Sequence, residues 1–273
     1  MNLYKKLSKH PREHEVQLDR KAVVIGGTGA TGHQLIKQLL NSDNWKQITS
    51  IGRKPVLNGE SHDKLEDIVI ESLHDMSSIK EIWKGHDIFF NCIGTTRKRA
   101  GGAREFVDIE AGISMEAAKL ASQAQIPHAS VVSANGANHN QWAQDWIHPL
   151  LYIRTIGQKE QTVITNKFDR VSIFRPGMLI RLVDNDTWLE RILESKGFGL
   201  KVDILASAMI RDGECKHDIS DKESPLVYAG NDCIKTSIRL YTHLSNYFFL
   251  TQFAYISVAN NYVLIPWAHI TLL

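Results

Sequence analysis

The stretch AVVIGGTGATG, from Ala22 to Gly32, sets an unbroken apolar run against a glycine triplet. Four consecutive apolar residues, Ala22 to Ile25, suit a strand buried on both faces, as in a parallel sheet. Gly26, Gly29 and Gly32 follow in the spacing GxxGxxG, and Leu35, Ile36, Leu39 and Leu40 then recur on one helical face. Strand, glycine turn and helix in that order predict a βα unit built to receive a phosphate. The first glycine permits the tight turn, the second lets the backbone approach the anion, and the third allows close helix–strand packing. Free N–H groups at the helix start face that anion along the favourable end of the helix dipole.

Working outward, the same alternation continues. Ile48 to Ile51 reads as a second strand ending at Gly52, Arg53 and Lys54. Asp67 to Ile70 reads as a third, with a short helix near Ser78 to Trp83, and DIFFNCI (Asp87 to Ile93) as a fourth ending at Gly94. Arg104 to Gln123 is an amphipathic helix, HASVVS (His128 to Ser133) a fifth strand, Tyr152 to Thr165 a helix, and Arg170 to Phe174 a sixth strand. Strands alternating with helices at this spacing predict right-handed βαβ units and an α/β, doubly wound parallel sheet, the Rossmann fold. Ligands on such sheets sit beyond the carboxyl ends of the strands, where the strand order reverses.

The end of the second strand selects the dinucleotide. A carboxylate there hydrogen-bonds the free ribose 2′-hydroxyl of NAD, whereas an arginine accommodates a 2′-phosphate. Arg53 and Lys54 occupy that place with no carboxylate at the tip, so the expected cofactor is NADPH. A guanidinium also stacks on an adenine ring.

Bulk composition bounds the rest. With 43% hydrophobic and 23% charged residues and a formal charge of +2, the 273-residue chain reads as an ordinary globular protein, not a nucleic-acid binder acting through bulk charge. Cys92, Cys215 and Cys233 are few and widely spaced, without zinc-type or disulfide-type spacing, which points to a reducing compartment. Residues 1–20 form a charged N-terminal arm rather than a secretory signal. His10 and His14 stand four apart there but lack a third ligand, so no metal is expected. Residues 21–240 form the dinucleotide-binding domain. Residues 241–273 contain no Asp, Glu, Lys or Arg and make an irregular apolar extension. That length could span a bilayer, yet Asn246, Gln252, Asn260, Asn261, Pro266 and His269 argue against it. Extra core, a partner-binding tail and membrane contact stay open for this segment.

Together GGTGATG, IGRK, CIGTTRKRAGG (Cys92 to Gly102) and FDRVSIFRPGML (Phe168 to Leu179) resemble the Tat-interacting-protein oxidoreductases, atypical members of the short-chain dehydrogenase/reductase superfamily. The resemblance covers about residues 20–240. It implies phosphate contacts at Thr28, Gly29, Ala30 and Thr31, a 2′-phosphate held by Arg53 and Lys54, a ribose lined by Ile93 and Gly94, and Leu179 on the nicotinamide side. It also implies a cytoplasmic protein with some nuclear-envelope presence and protein partners such as nuclear transport receptors.

Members of the superfamily use a serine, a tyrosine and a lysine four residues after the tyrosine. Ser133 falls at the serine address and Tyr152 at the tyrosine address, which would also place Tyr152 against the cofactor. The phenol's ordinary pKa of about 10 requires a nearby cation before it favours phenolate at neutral pH. Ile156, not lysine, stands four residues on. Lys159 lies seven residues on, about 10 Å along the helix axis, a full turn past the usual reach. Arg97 and Arg154 are the other candidate cations. Two readings follow: an NADPH-dependent reductase of a small carbonyl substrate with Ser133 and Tyr152 handling the oxygen, and a non-catalytic NADPH-bound sensor that binds protein partners. Trp188 and Trp267 are further candidates for lining a pocket, and residues 184–240 carry no readable motif.

Overall fold

Two aromatic-rich apolar layers hold a seven-stranded sheet between them in the computed structural model, which describes residues 18–181, 199–215, 224–244, 253–258 and 261–266. The strands are β1 (Arg20–Ile25), β2 (Trp45–Gly52), β3 (Leu65–Val69), β4 (Ile88–Asn91), β5 (His128–Val132), β6 (Arg170–Arg175) and, after a two-stranded side ladder of β7 (Leu179–Ile180) with β8 (Leu200–Lys201), β9 (Leu226–Ala229). The sheet order is β3-β2-β1-β4-β5-β6-β9 and every pairing is parallel. The chain builds outward from β1 through β2 to β3, then returns to lay β4 on the other flank of β1. The order therefore reverses between β1 and β4, and a crevice opens at their carboxyl ends.

The doubly wound sheet expected from the sequence is present. β1 is buried along Ala22 to Ile25 because both of its faces are covered. One face packs against α1 (Ala30–Leu40) and α6 (Val202–Glu214), with Leu35, Leu39, Trp45, Phe90 and Met209 in the layer. The other face packs against α4 (Ile113–Gln123) and α5 (His148–Ile164), with Ile25, Phe89, Ala117, Val131 and Val163. Burying residues of this size fully contributes roughly 1.5–3 kcal/mol each, which is why their 3.6- and 2-residue periodicities dictate the elements.

Three details depart from the sequence reading. The helix expected over 104–123 is three segments, α3 (Ala103–Val107), a π-helical turn (Asp108–Gly112) and α4, and a short α2 (Arg97–Ala100) precedes them. The helix expected from Tyr152 begins a turn earlier, at His148, because Pro149 at its start supplies a preset φ and needs no donor there. The apolar extension, expected to be irregular, contains ordered pairing: α7 (Asn231–Leu244) runs across residue 240, and β10 (Phe253–Val258) pairs antiparallel with β11 (Asn261–Pro266). No helix among the described residues is long and apolar enough to cross a membrane. His10, His14, Trp188 and Trp267 lie outside the described residues.

Candidate functional site

The loop between β1 and α1 leaves no room for side chains. Gly26 sits at φ +78°, and a Cβ built on it would lie 2.5 Å from the Cys92 carbonyl carbon and 2.6 Å from the Ile93 nitrogen. A Cβ on Gly32 would overlap the Gly26 carbonyl oxygen, and one on Gly29 would sit 3.2 Å from it. The glycine spacing thus draws the turn, the helix start and the β4 end into contact. The first bond of α1 runs from His33 N to Gly29 O at 2.8 Å, so the amides of Ala30, Thr31 and Gly32 carry no intrahelical acceptor. No side chain caps Gly29. Thr28 and Gly29 are exposed at this mouth, and Asn91 Nδ2 at the end of β4 is buried without a hydrogen-bond partner. Unused backbone donors in a cradle that any Cβ would fill fit a dinucleotide pyrophosphate.

The flanks of the cradle carry the other expected contacts. Arg53 and Lys54 follow β2 on one side, exposed and in no ion pair among the described residues. Ile93 is buried and Gly94 exposed just past β4, on the other side. Leu179 lies further off, in β7, paired with Leu200 and half-buried against the α1/α6 layer.

The chemistry-bearing side chains on α5 are arranged differently from the superfamily pattern. Ile156 is buried. Lys159 is 1% exposed, and its Nζ donates to the Ile93 carbonyl oxygen and pairs with Glu110 Oε2 at 3.3 Å. Glu110 comes from the π-helical turn, and its other oxygen accepts the Thr95 amide at 2.6 Å. This cation therefore enters from beneath and ties α5 to the backbone just past β4. Arg154 Nη1 donates to the Ala143 carbonyl oxygen at 2.9 Å, and Arg97 stands on the loop after β4.

Tyr152 is half-buried in a small apolar cluster with Phe106, Leu151 and Ala143, its ring stacked on Phe106 at 6.0 Å. Burial pushes its phenol pKa above the ordinary value, and the Glu110 carboxylate adds to that rise. The phenol is therefore held in its protonated form more firmly than an ordinary tyrosine. Ser133, buried just past β5, donates its hydroxyl to Glu160 Oε1 at 2.5 Å. Glu160 is also gripped by Arg175, from Nε at 2.7 Å and Nη2 at 2.6 Å. With its proton directed to Glu160, Ser133 presents lone pairs, not a donor, to anything else in the crevice.

Glu160, Glu110 and Arg175 are charged residues of this region that motif reading passes over, and it sets Lys159 aside as lying a full turn past the usual reach. A signal existed: Lys159 and Glu160 interrupt the buried face of α5 among Thr155, Ile156, Thr162 and Val163. Charges are almost never fully buried unless paired. Gly157 in the same helix was another clue. A Cβ there would strike the backbone of Asn138 and His139, so this glycine admits the loop after β5 against α5.

Among the described residues no group of His, Cys, Asp and Glu is arranged to hold a metal.

A family model described as NAD(P)H-binding matches residues 26–198. The rat protein HTATIP2 is 30% identical over 170 residues, covering 62% of this chain and 66% of that protein. The mitochondrial protein FMP52 of Debaryomyces hansenii is 35% identical over 160 residues, covering 58% and 66%. The chain thus spans just under two thirds of the length of these relatives. Among solved structures, the oxidoreductase ylbE from Lactococcus lactis superposes with a TM-score of 0.56 at 15% identity, over 82% of this chain and 97% of that one. The likeness is one of fold. These relatives overturn one expectation. A cytoplasmic or nuclear-envelope location conflicts with the mitochondrial designation of the Debaryomyces protein, shared by relatives from Scheffersomyces stipitis and Meyerozyma guilliermondii. Because the matched model begins at the glycine cradle and spans most of the sheet, the chain belongs to the NAD(P)H-binding family, among the atypical short-chain dehydrogenase/reductase proteins related to HTATIP2.

Proposed function

We propose that this protein is an NADPH-dependent reductase of a small carbonyl compound, in which Tyr152 delivers the proton. The observation that carries the reading is a half-buried Tyr152 phenol, stacked on Phe106, on the helix whose Lys159 reaches the Ile93 carbonyl beside the glycine cradle. When bound, the reduced nicotinamide supplies the hydride. The amides of Ala30, Thr31 and Gly32 hold the pyrophosphate, and Arg53 and Lys54, unpaired among the described residues, receive the 2′-phosphate. Lys159 fixes the Ile93 carbonyl and so sets the height of the Ile93–Gly94 backbone beneath the ribose. The Phe106–Leu151–Ala143 cluster excludes water around the phenol. Tyr152 then passes its proton to the carbonyl oxygen as that oxygen gains charge.

The same geometry makes the step slow. Lys159 spends its charge on Glu110, and Glu110 opposes the phenolate left behind. Ser133 orients Glu160 instead of donating to substrate. A second reading, a non-catalytic NADPH-bound sensor that signals to a protein partner, is favoured by these two departures. The discriminating experiment follows NADPH consumption with a panel of aldehydes, ketones and quinones for the natural protein and Tyr152→Phe. The reductase reading expects turnover that falls by about two orders of magnitude or more in the variant, with NADPH affinity unchanged. Equal rates for the two proteins would remove Tyr152 from the chemistry, and NADPH binding without any consumption would leave the sensor. The yeast relatives' designation supports a mitochondrial compartment for this activity, checked by fractionation of cells expressing the tagged full chain.

A further inference from the structure

A cavity of about 510 Å³ lies beside the site, lined by Arg97, Lys98, Gly101, Gly102 and His148. Its volume is in the range of small-molecule sites. Its walls come from two places: the short helix α2 after β4 with the glycines that follow it, which carry Arg97 to Gly102, and the start of α5, which carries His148. Arg53 and Lys54 follow β2, on the opposite flank of β1. The two basic groups therefore bracket the crevice, and the second belongs to the end where a substrate meets the nicotinamide, not to the adenosine end.

Basic side chains outnumber carboxylates around this cavity. Arg97, Lys98, Arg99 and Arg104 fall within eight residues of sequence, against one carboxylate, Glu105, which folds back over Gly102. Neither Arg97 nor Lys98 is in an ion pair among the described residues, and Arg97 is partly buried. Gly101, at φ +100°, has nothing within 4 Å of a built Cβ, so the wall is open to a ligand. A column of rings joins the cavity to Tyr152: His148 lies 6.2 Å from Phe106, and Phe106 stacks on Tyr152 at 6.0 Å. His148 and Tyr152 are four apart on α5, hence on one face and about 6 Å apart along the axis.

From this arrangement we infer that the substrate is an anionic carbonyl compound, its carboxylate or phosphate held by Arg97, Lys98 and His148 and its carbonyl one helical turn away at Tyr152. A guanidinium presents a fork of donors that matches either anion. The inference rests on the reductase reading for the place of the carbonyl, while the anion site stands on the cavity alone.

The probes are 4-formylbenzoate, whose carboxylate and carbonyl are separated by one benzene ring, its uncharged methyl ester, and 4-formylphenyl phosphate. Each is titrated by calorimetry into the full-length protein with and without saturating NADPH, alongside Arg97→Ala/Lys98→Ala and Arg53→Ala. The expected result is at least tenfold tighter binding of an anionic probe than of the ester. That preference is lost in the double variant, kept in Arg53→Ala, and reduced by added salt. The two anionic probes separate carboxylate from phosphate preference. Equal affinity for acid, phosphate and ester, or a preference untouched by the double substitution, overturns the inference, as does absence of probe binding by protein that binds NADPH normally. Loss of NADPH binding with the anion preference intact overturns the cofactor reading and leaves the anion site standing.

Discussion

Lys159→Met tests whether the charge beneath the β4 end holds the site together. Both members of the Lys159–Glu110 pair are almost completely buried, with side chains 2% and 3% exposed. Removing the lysine leaves a carboxylate in the interior with one remaining donor, the Thr95 amide at 2.6 Å. Breaking a buried pair from one side costs about 3–5 kcal/mol, because the survivor's desolvation is no longer offset. The Ile93 carbonyl also loses its donor, a further ~1 kcal/mol if it is left dry. Set against a total stability of roughly 5–15 kcal/mol, this lowers the urea midpoint severely. Replacing both partners, Glu110→Gln with Lys159→Met, removes the stranded charge and keeps an acceptor for Thr95, so most of the loss returns. The four proteins form a double-mutant cycle read by urea unfolding, in which the two single losses are expected to exceed the double loss instead of adding up to it. A single Lys159→Met variant within about 1 kcal/mol of the natural protein, or a double variant no better than the single, would refute a buried pair at this position.

Arg53→Ala is expected to weaken NADPH by about tenfold or more and NADH little, since a charge-assisted hydrogen bond contributes roughly 1.5–3 kcal/mol; equal losses by calorimetry would place the 2′-phosphate elsewhere. Gly32→Ala drives a methyl into the Gly26 carbonyl and should abolish NADPH binding, whereas Gly85→Asn, at an open turn whose φ of +74° asparagine tolerates, should leave it unchanged. Gly157→Ala gains up to ~1 kcal/mol of helix propensity but overlaps the Asn138 and His139 backbone, so a net loss of about 1–3 kcal/mol in urea is expected; a more stable variant would show that this loop does not rest on α5. Burial pushes the Cys92 thiol from 9.0 up to about 12. A folded pKa above the unfolded one means that the native state holds its proton longer, so the associated stability is complete below pH 9 and is lost as pH climbs towards 12. Native Cys92 should accordingly show no thiolate absorbance at pH 10 that the unfolded chain shows, and a thiolate titrating near pH 9 in folded protein would contradict its burial.

The parts of this protein written in apolar periodicity and glycine spacing were legible from the chain alone. Val23 to Ile25 could be read as a central strand because a parallel strand covered on both faces has no polar alternation to obscure it. Gly26 and Gly32 could be read as a cradle because the backbone contacts that forbid a Cβ there follow from the βα turn itself. The cofactor half of the site therefore comes from local geometry. The proton-handling half does not. Glu110 meets Lys159 across 49 residues, and Ser133 meets Glu160 across two elements whose docking depends on Gly157. A pattern search along α5 expects a lysine at 156 and finds isoleucine. It has no way to learn that a charge one turn later is buried against the β4 end until α4's π-helical turn supplies the partner. Such turns insert one residue and shift every later side chain around the helix, which the 3.6-residue template applied to 104–123 does not represent.

These differences have a chemical consequence. In an arrangement where a lysine lies four residues beyond the tyrosine, one cation lowers the phenol pKa and grips the cofactor ribose together. Here the charge on α5 is displaced by three residues and paired with Glu110: Lys159 braces the Ile93 backbone past β4, while Tyr152 is left with a carboxylate as its charged neighbour. A carboxylate near a buried phenol holds the proton on and penalises its departure. A step that takes a proton from Tyr152 leaves the phenolate that Glu110 opposes, and a step that needs Tyr152 as base must first form it, so the carboxylate penalises proton transfer through this phenol. The same logic fixes the effect of Glu110→Gln on Tyr152. Removing the opposing charge should lower the phenol pKa, read as tyrosinate absorbance rising at lower pH in the folded variant than in the natural protein, with Tyr152→Phe identifying the signal. If the Tyr152 titration is unmoved by Glu110→Gln, the carboxylate does not govern the phenol, and the penalty on proton transfer loses its electrostatic basis.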